Sequence, residues 1–413
     1  MSRRPLRIGL FGLFGVRNIG NEATLAATVA ALRERAPDAE LVLVSRPPAA
    51  GAGLPQFPRQ IEPDQLPLLD RSWPGIPYRW KKPLAGFMQR ATEPLRRLRT
   101  RRVARQIDML LIAGTGIADD FGQGHLEAPH HLARWCEVVR GQGGTVCFAS
   151  IGAGPASHPL ARRWFGDALR AASYRSYREH SSRRFAQEIG VDVSADPVMP
   201  DLVFGLPIDR SAAGRAPDWP PKSIGLGVMG YSGWNLEGVA AEKTYASYLA
   251  KTEWLARQLL DSGYRVHLLI GNRGGDRRPV ADLCKALPGQ LAAGTLVASD
   301  LLTHDDVLGE IAATDLVIAT RFHNVLKSLL LARPVISIGY AIKNDDLMRE
   351  MDLEQYCHHV DNFQPAQVLE QVRSLAAMPR PPHAKLRERV TEYRQTLARQ
   401  FDRILELGRA SED

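Results

Sequence analysis

Three basic side chains follow the ends of two neighbouring predicted strands in the last third of the chain. Arg321 and His323 come directly after the apolar run Leu316–Ile318, and Lys343 follows a second run, Val335–Ile338, with a predicted helix between them. The carboxyl ends of parallel strands meet at one edge of a sheet, where ligands bind in open α/β folds. Two permanent cations and one titratable imidazole suit a small anion that carries several charges and must receive a proton.

Two glycine-rich loops in the N-terminal half could hold a second substrate. The first contains Asn18 and Gly20 and opens a helix, whose N-terminal N–H groups suit an anion or a hydroxyl-rich ligand. Alternatively, it is a tight turn in which Asn21 caps the helix. The second loop contains Asp120, which could bind hydroxyls or act as a base, or could instead cap a helix or form a salt bridge. We expect both loops to line the same crevice.

Arg178 follows the predicted strand Tyr174–Tyr177, so we expect it at the edge of a sheet as well. An arginine in this position can hold a carboxylate or a phosphate through two parallel hydrogen bonds. The alternative is a salt bridge with Asp201 or with another acid of the same half of the chain.

Strands and helices alternate through both halves of the 413-residue chain, a pattern typical of parallel sheets. A proline-rich stretch, Gly205–Lys222, separates the halves. We predict an α/β fold of two Rossmann-like domains that face each other across a cleft, at 1–205 and 222–380, with a helical tail at 381–413. The predicted strands are Leu6–Phe11, Leu41–Ser45, Met109–Ile112, Val146–Ile151, Tyr174–Tyr177 and Val191–Val193 in the first domain, and Ile224–Met229, Val266–Ile270, Leu296–Ala298, Leu316–Ile318 and Val335–Ile338 in the second.

A strongly basic insertion at about 47–105 interrupts the first domain. Between Arg71 and Arg105 it holds eleven Lys or Arg residues against one acid, Glu93, while the whole chain has a net charge of +8. The basic excess therefore belongs to one insertion, which argues against a nucleic-acid partner. Apolar residues recur at helical spacing within it, so it either contacts an anionic membrane or packs on its own domain, although Pro94 interrupts the pattern. These residues are Leu84, Phe87, Met88, Ala91, Leu95 and Leu98.

Cysteine usage and hydropathy indicate an intracellular protein. The four cysteines are far apart and lack the spacing of a metal site, so we expect buried thiols in a reducing compartment. The chain shows no signal-peptide pattern and no apolar stretch of 18 residues. We therefore expect a cytoplasmic protein, with peripheral contact at the inner membrane face as a further hypothesis.

Taken together, these motifs resemble the polysaccharide pyruvyl transferase family. The matching residues run in order from about residue 6 to 360, and the insertion lies outside them. This chain has Asn21 where the family usually has Asp, and Phe322 where it usually has Leu. The matching motifs are Asn18-x-Gly20, Gly114–Asp120, Gly152-x-Gly154-Pro155, Arg178-Glu179-x-Ser181, Asp201, Asp315–His323 and Tyr340-x-x-Lys343.

The resemblance implies a GT-B-like fold and transfer of the pyruvyl group of phosphoenolpyruvate (PEP) to two hydroxyls of a glycan sugar. The products would be a cyclic pyruvate ketal and phosphate, and the chemistry needs no metal or nucleotide cofactor. We expect His323 to be the general acid. Donor binding is expected from Arg321, Arg178 and Lys343, and the acceptor side from Asn18, Gly20 and Asp120.

Two other functions remain open at this point. A GT-B glycosyltransferase could use the same cations to bind the diphosphate of a nucleotide sugar, because fold does not determine function. An inactive scaffold of a glycan assembly complex could also keep this fold. If the chain is a transferase, the basic insertion makes a lipid-linked acceptor at the inner membrane face an attractive hypothesis.

Overall fold

The computed structural model describes residues 4–15, 18–45, 57, 59–61, 78–117, 128–208, 216–233, 236–379 and 383–410, with side chains from residue 91 in the helix that begins at Tyr78 and from residue 385 in the helix that begins at His383. Two parallel six-stranded sheets with helices on their faces form the molecule. The α/β fold predicted from the sequence is therefore confirmed.

The first sheet has the strand order β3-β2-β1-β4-β5-β6, with every pairing parallel. Its central strands are apolar and buried throughout, as parallel strands covered on both faces must be. Its strands are β1 (Arg7–Phe11), β2 (Glu40–Val44), β3 (Arg59–Ile61), β4 (Met109–Ala113), β5 (Thr145–Ile151) and β6 (Tyr174–Tyr177). The helices of this half are α1 (Ile19–Arg35), α2 (Tyr78–Ala104), α3 (Ala128–Gly141), α4 (Pro159–Arg170) and α5 (His180–Glu188).

The second sheet has the order β12-β11-β10-β7-β8-β9 and is also parallel. Its strands are β7 (Ser223–Gly227), β8 (Arg265–Leu269), β9 (Leu296–Val297), β10 (Leu316–Ala319), β11 (Val335–Gly339) and β12 (Cys357–His359). The helices are α6 (Gly238–Asp261), α7 (Arg277–Ala286), α8 (Pro288–Ala292), α9 (His304–Ala312), α10 (Phe322–Leu330), α11 (Ile342–Glu350), α12 (Pro365–Ala376) and α13 (His383–Ala410). Among the residues for which structure is given, no helix is long and apolar enough to cross a lipid bilayer.

Helix α13 returns from the second half of the chain to pack on the first sheet. Gln400 at its centre donates a hydrogen bond to the Ser150 hydroxyl (3.0 Å) and accepts one from the Ser176 hydroxyl (2.8 Å). Its apolar face shares a core with β1, β4 and α1. The helix predicted for the tail is present, and it covers one face of the N-terminal half.

Each predicted strand is present except Val191–Val193, where the prediction is wrong. Both valines are buried, but they follow Gly190 in an irregular segment that packs beneath α5. Their apolar spacing therefore reflects a loop that fills the core rather than a strand. Strands β3 and β12 escaped prediction because each is short and mostly polar, with the sequences Arg-Gln-Ile and Cys-His-His, and forms no apolar run.

Helix α2 runs through Pro94 without a break and presents two residues of its predicted apolar stripe to solvent. The side chains of Leu95 and Leu98 are 45% and 63% exposed, whereas Arg96 and Thr100 face the protein. The alternative in which the apolar stripe packs on its own domain is therefore wrong for these two leucines. Helix α2 is held instead by ion pairs with α3, which include Arg97–Glu137 at 2.7 Å and Arg134–Glu93 at 3.1 Å.

The loops at the carboxyl ends of the two sheets contact each other. The N–H of Ile19 donates to the carbonyl of Gly271 (3.1 Å), and Asn18 forms an antiparallel bridge with Asn272. The turn after β1 is thus hydrogen-bonded to the loop after β8. Of the residues predicted to bind ligands, Asn18, Gly20, Arg321 and His323 lie at this junction.

Candidate active site

Arg321 occupies the residue position before α10, and its side chain forms a two-pronged ion pair with Asp276. Its Nε lies 3.0 Å from Asp276 Oδ2, and its Nη2 contacts Oδ1. Asp276 is fully buried and also accepts hydrogen bonds from the N–H groups of Gly271 (2.9 Å) and Asn272 (2.8 Å). The Gly-rich loop after β8 therefore fixes the guanidinium of Arg321 through one carboxylate.

The ring of His323 lies directly against Gly20 of the first βα turn. A Cβ on Gly20 would stand 2.0 Å from Nδ1 of the ring, so a side chain there is incompatible with this contact. Nε2 of His323 is buried and has no hydrogen-bond partner among the described residues. One nitrogen of the imidazole is therefore available for a proton or for a ligand.

Positive charge surrounds His323. Loss of surrounding water lowers the pKa of the imidazole, and the charges of Arg178, Lys343, Lys327 and Arg321 lower it further, well below 6.5. The ring is neutral at pH 7 in the absence of an anion. The expected general acid therefore carries no proton to give in the free protein at pH 7.

Arg178, at the end of β6, is buried between two carboxylates. It pairs with Glu179 (2.7 Å) and with Asp201 (3.3 Å), the salt bridge that the sequence left as an alternative. A Cβ on Gly152 would lie 2.5 Å from Nη2 of Arg178, so the glycine leaves room for the guanidinium. The loops after β4 and β5 form its surroundings, since the carbonyl of Gly114 lies 3.5 Å from Nη1.

Phe322 brings the cations of the two halves together. The guanidinium carbon of Arg178 lies 4.9 Å from the centre of the Phe322 ring, and Nζ of Lys343 lies 5.5 Å from it. A leucine, which the family usually has here, offers no such cation–π contact. Lys343 also lies 5.5 Å from the Tyr340 ring, and no carboxylate forms an ion pair with it within the described part of the chain.

The pKa of the Tyr340 phenol shows the effect of the same positive charges. Burial alone would raise its pKa, but the charges of Lys343, Arg321 and Arg178 outweigh burial and lower it. A group that becomes an anion is thus stabilised at this position. The field favours an anionic ligand beside Lys343.

The residues predicted for the acceptor side have other contacts. Asn18 caps α1, and its side-chain oxygen accepts a hydrogen bond from the N–H of Gly20 (3.0 Å). The alternative in which Asn21 caps the helix is wrong, since the Asn21 amide instead donates to the carbonyl of Leu13 (2.8 Å). Asp120 lies outside the described residues, so its role stays a prediction.

A buried charge cluster that sequence reasoning missed lies behind His323. Glu22 of α1 pairs with Arg273 of the second half at 2.8 Å, and Lys327 lies one helical turn after His323. Burial raises the pKa of Glu22 to about 7, against the opposing charges of Arg273 and Lys327, and burial lowers the pKa of Lys327 to about 7. Asp276, Arg273 and their loop could have been found by extending the strand-end argument to β8.

Chemically, the site combines an anion-binding field with a proton-accepting nitrogen. Three of the basic residues follow strands of the second sheet, Arg321, His323 and Lys343, and Arg178 follows a strand of the first. Phe322 contacts Arg178, Lys343 and His323 and directly follows Arg321 in the chain. Their combined positive potential suits a multiply charged small anion, and the imidazole can take up a proton once that anion neutralises the field.

Solved structures that are similar to this chain include two nucleotide-sugar epimerases of GT-B fold. The UDP-GlcNAc 2-epimerase of Methanocaldococcus jannaschii aligns over 94% of this chain and 99% of its own, with a TM-score of 0.56 and 11% identity. The UDP-N-acetylglucosamine 2-epimerase of Rickettsia bellii aligns over 97% and 96%, with a TM-score of 0.54 and 10% identity. At such identities the likeness shows the GT-B-like fold alone.

The sequence itself matches a family model. The model describes polysaccharide pyruvyl transferases and covers residues 18–341, from the cap of α1 through Arg178 and His323 to the start of α11. That span is most of the chain and contains the strand ends around which the cations assemble. The chain therefore belongs to the polysaccharide pyruvyl transferase family.

Proposed function

We propose that the protein transfers the pyruvyl group of PEP to two hydroxyls of a glycan sugar, which forms a pyruvate ketal and releases phosphate. The observation that supports this most is the meeting of Arg178, Arg321 and Lys343 around Phe322 and His323. PEP carries a carboxylate and a phosphate on one small carbon frame. A field of fixed cations beside a neutral imidazole suits that ligand better than it suits an uncharged sugar.

Donor binding would depend on the cations to different degrees. The ammonium of Lys343 has no carboxylate partner among the described residues. In contrast, Arg321 already pairs with Asp276, and Arg178 pairs with Glu179 and Asp201. Lys343 would hold the phosphate as a compact charge, and the guanidinium groups would orient the carboxylate with their remaining N–H groups. Fixed partners keep these guanidinium groups in place before the donor arrives, which reduces the cost of orienting it.

The proposed reaction conserves protons and charge between donor and acceptor. His323 gives a proton to the methylene carbon of PEP as the first hydroxyl oxygen bonds to C2, and the proton of that hydroxyl returns to His323 through solvent. The C2–O bond to phosphate then breaks and phosphate leaves with the electron pair. The second hydroxyl bonds to C2, and its proton goes to the departing phosphate. No metal or nucleotide is needed, because phosphate is the leaving group.

We also propose that the glycan acceptor is lipid-linked and is met at the cytoplasmic face of an anionic membrane, through helix α2. Exposed leucines at 95 and 98 stand beside exposed arginines on this helix, a combination that binds anionic bilayers. Flotation with liposomes containing anionic lipid should carry the wild type but not a Leu95→Ser/Leu98→Ser variant. If the wild type floats equally well with neutral and with anionic liposomes, the proposed binding to an anionic membrane is contradicted. The arginines are Arg99, Arg101 and Arg102.

Calorimetric titration with PEP, and separately with a panel of nucleotide sugars, tests the donor. We expect saturable binding of PEP, weakened about tenfold or more by Lys343→Ala because a charge-assisted contact contributes about 1.5–3 kcal/mol. Lys285→Ala is a matched control, since Lys285 is an exposed lysine of α7. Arg321→Ala should also weaken PEP binding, with folding checked because it leaves Asp276 unpaired.

Binding of a nucleotide sugar in place of PEP would overturn the proposed donor and support a glycosyltransferase. Binding of PEP without turnover on any glycan would support the inactive scaffold. Equal PEP affinities for wild type and Lys343→Ala would remove that lysine from the donor site.

A further inference from the structure

The proposed transfer leaves Tyr340, a tyrosine of the candidate active site, without a role. Tyr340 directly follows β11, at the sheet edge that also carries Arg321 and Lys343. Tyr340 and Lys343 are partly exposed, as is 22% of the side chain of Arg321. In contrast, only 4% of the Arg178 side chain is exposed. A ligand that enters from solvent therefore meets the three residues of the second sheet first.

Tyr340 contacts both of the cations beside it. A side-chain hydrogen bond joins it to Arg321, and Nζ of Lys343 lies 5.5 Å from the centre of its ring. A guanidinium has donors but no acceptor, so the phenol oxygen accepts this bond and the phenol keeps its own O–H for donation. Since Lys343 is proposed to hold the phosphate of PEP, that phosphate would lie beside the phenol.

The charges around Tyr340 stabilise the form of its side chain that has lost the proton. Burial raises the pKa of the phenol, but the charges of Lys343, Arg321 and Arg178 and the hydrogen bond from Arg321 outweigh burial and lower it. The carboxylates that pair with the two arginines are Asp276, Glu179 and Asp201. The phenol therefore gives up a proton more readily than an ordinary tyrosine, as a general acid must.

The departing phosphate needs a proton that His323 does not supply. In the proposed reaction His323 protonates the methylene carbon, and the proton of the second hydroxyl has to reach the phosphate. Arg321 cannot provide a route, because a guanidinium keeps its protons in proteins. The ammonium of Lys343 is required as a charge while the phosphate leaves. The phenol of Tyr340, which contacts both of these cations, has the chemistry for this proton transfer.

We propose that Tyr340 is the general acid for the departing phosphate and that it passes the proton of the second hydroxyl to that group. The inference rests on the proposed pyruvyl transfer. As the C2–O bond breaks, its electron pair goes to the phosphate, and the phenol proton moves to a phosphate oxygen. The second hydroxyl then bonds to C2, and its proton passes to the phenolate. Tyr340 is thus unchanged after each turnover, and phosphate carries away one proton.

Binding of inorganic phosphate tests the contact without an acceptor sugar. In calorimetric titrations, Tyr340→Phe should bind phosphate about tenfold more weakly than wild type, because a hydrogen bond to a charged group is lost. Tyr264→Phe, a partly exposed tyrosine before β8, is the matched control and should bind as wild type. Wild type should also show phenolate absorbance below the ordinary pKa of about 10. That signal should be absent from Tyr340→Phe and should weaken when phosphate is added.

Turnover of PEP in D₂O with methyl galactoside, methyl glucoside or methyl mannoside tests the acid role. Tyr340→Phe should lower phosphate release by roughly 100-fold, the typical contribution of a general acid. Deuterium should still enter the methylene group of recovered PEP, because protonation of carbon by His323 precedes C2–O cleavage. A merely structural disturbance would slow both processes. Incorporation of 3-fluorotyrosine at position 340, which keeps a more acidic O–H, should restore most of the phosphate release.

The outcomes separate the role of Tyr340 from the proposed function. If Tyr340→Phe releases phosphate as fast as wild type, the acid role is wrong and pyruvyl transfer stands. Equal phosphate affinities for wild type and Tyr340→Phe also overturn it, and this titration with the phenolate absorbance decides the matter if none of the three glycosides is a substrate. If PEP does not bind the wild type at all, the proposed function fails, and the inference fails with it.

Discussion

At the scale of single residues, the neutral state of His323 has a direct consequence for donor binding. The imidazole is neutral because it loses water and faces four cations. A multiply charged anion bound among those cations would cancel their field and raise the pKa of the ring again. The general acid would therefore be charged by the donor itself, after binding and not before.

We predict that PEP binding at pH 7 is accompanied by uptake of a proton. Calorimetric titrations in buffers of low and high ionisation enthalpy should give different apparent heats, and His323→Asn should abolish the difference. In the free protein, the pH dependence of stability due to His323 is opposite to that of a histidine held in a stabilising ion pair, whose pKa is raised. Because the folded-state pKa of His323 lies below 6.5, its contribution to the free energy of unfolding is complete above pH 6.5 and is lost as the pH falls below that value. Buffer-independent heats for wild type would contradict this coupling.

Gly20 is the second residue whose substitution tests the site. Alanine at this position would place Cβ 2.0 Å from Nδ1 of His323 and force the ring to move. We expect Gly20→Ala to reduce turnover about 100-fold, the size of effect that a 1 Å displacement can have. Gly309→Ala is the control, since nothing lies within 4 Å of its added Cβ and it sits in an exposed turn of α9. Wild-type turnover in Gly20→Ala would show that the ring position is unimportant.

The sequence predicted the basic residues of the site more completely than their acidic partners. Arg321, His323, Lys343 and Arg178 could be placed because each follows a strand, and strand ends share an edge. Asp276 pairs with Arg321 across 45 positions of sequence. The strand-end argument could have placed Asp276 near the same edge but not against Arg321, so this ion pair could only be seen in the fold, whereas the Arg178–Asp201 pair was one of the alternatives drawn from the sequence.

At the scale of elements, the loop after β8 holds the donor side together through Asp276. We predict that Asp276→Asn destabilises the protein by about 3–5 kcal/mol, because it leaves the partly buried Arg321 without its counter-charge. It should also weaken PEP binding, since Arg321 loses its fixed orientation. Asp300→Asn, whose carboxylate is exposed, should change urea stability by less than about 0.5 kcal/mol. Similar unfolding midpoints for both variants would contradict the role given to the loop.

Elements were predictable from the sequence where they are long and periodic. Central strands such as β5 could be recognised from continuous apolar runs, and α13 from its charged helical pattern. The missed edge strands β3 and β12 are short and mostly polar, so no apolar run reveals them, whereas the still shorter edge strand β9 is apolar and was predicted. Helix α2 shows a different limit, since its register against α3 is set by ion pairs such as Arg97–Glu137 rather than by the apolar stripe.

At the scale of the whole molecule, the pair Glu22–Arg273 joins the two halves in a fully buried position. We predict that Glu22→Gln destabilises the protein by about 1.5–3 kcal/mol, because it removes the charge-assisted hydrogen bond from Arg273, a moderate cost since Glu22 with a pKa of about 7 is only partly ionised at pH 7. Glu34→Gln, at the exposed end of the same helix, should change the free energy of unfolding by less than about 0.5 kcal/mol. Urea denaturation of both variants measures the difference, and equal midpoints would show that the link contributes little.

During synthesis on the ribosome, the first sheet cannot be fully packed until helix α13, the last helix described in the chain, has been made. The last strand of the first sheet ends at Tyr177, yet Gln400, which hydrogen-bonds to Ser176, is synthesised 224 residues later. At typical rates of translation that interval lasts on the order of ten to forty seconds. Throughout it, the part of the nascent sheet that α13 covers in the folded protein is exposed. The growing chain is therefore most prone to aggregate, and most dependent on chaperones, while its second half is being made.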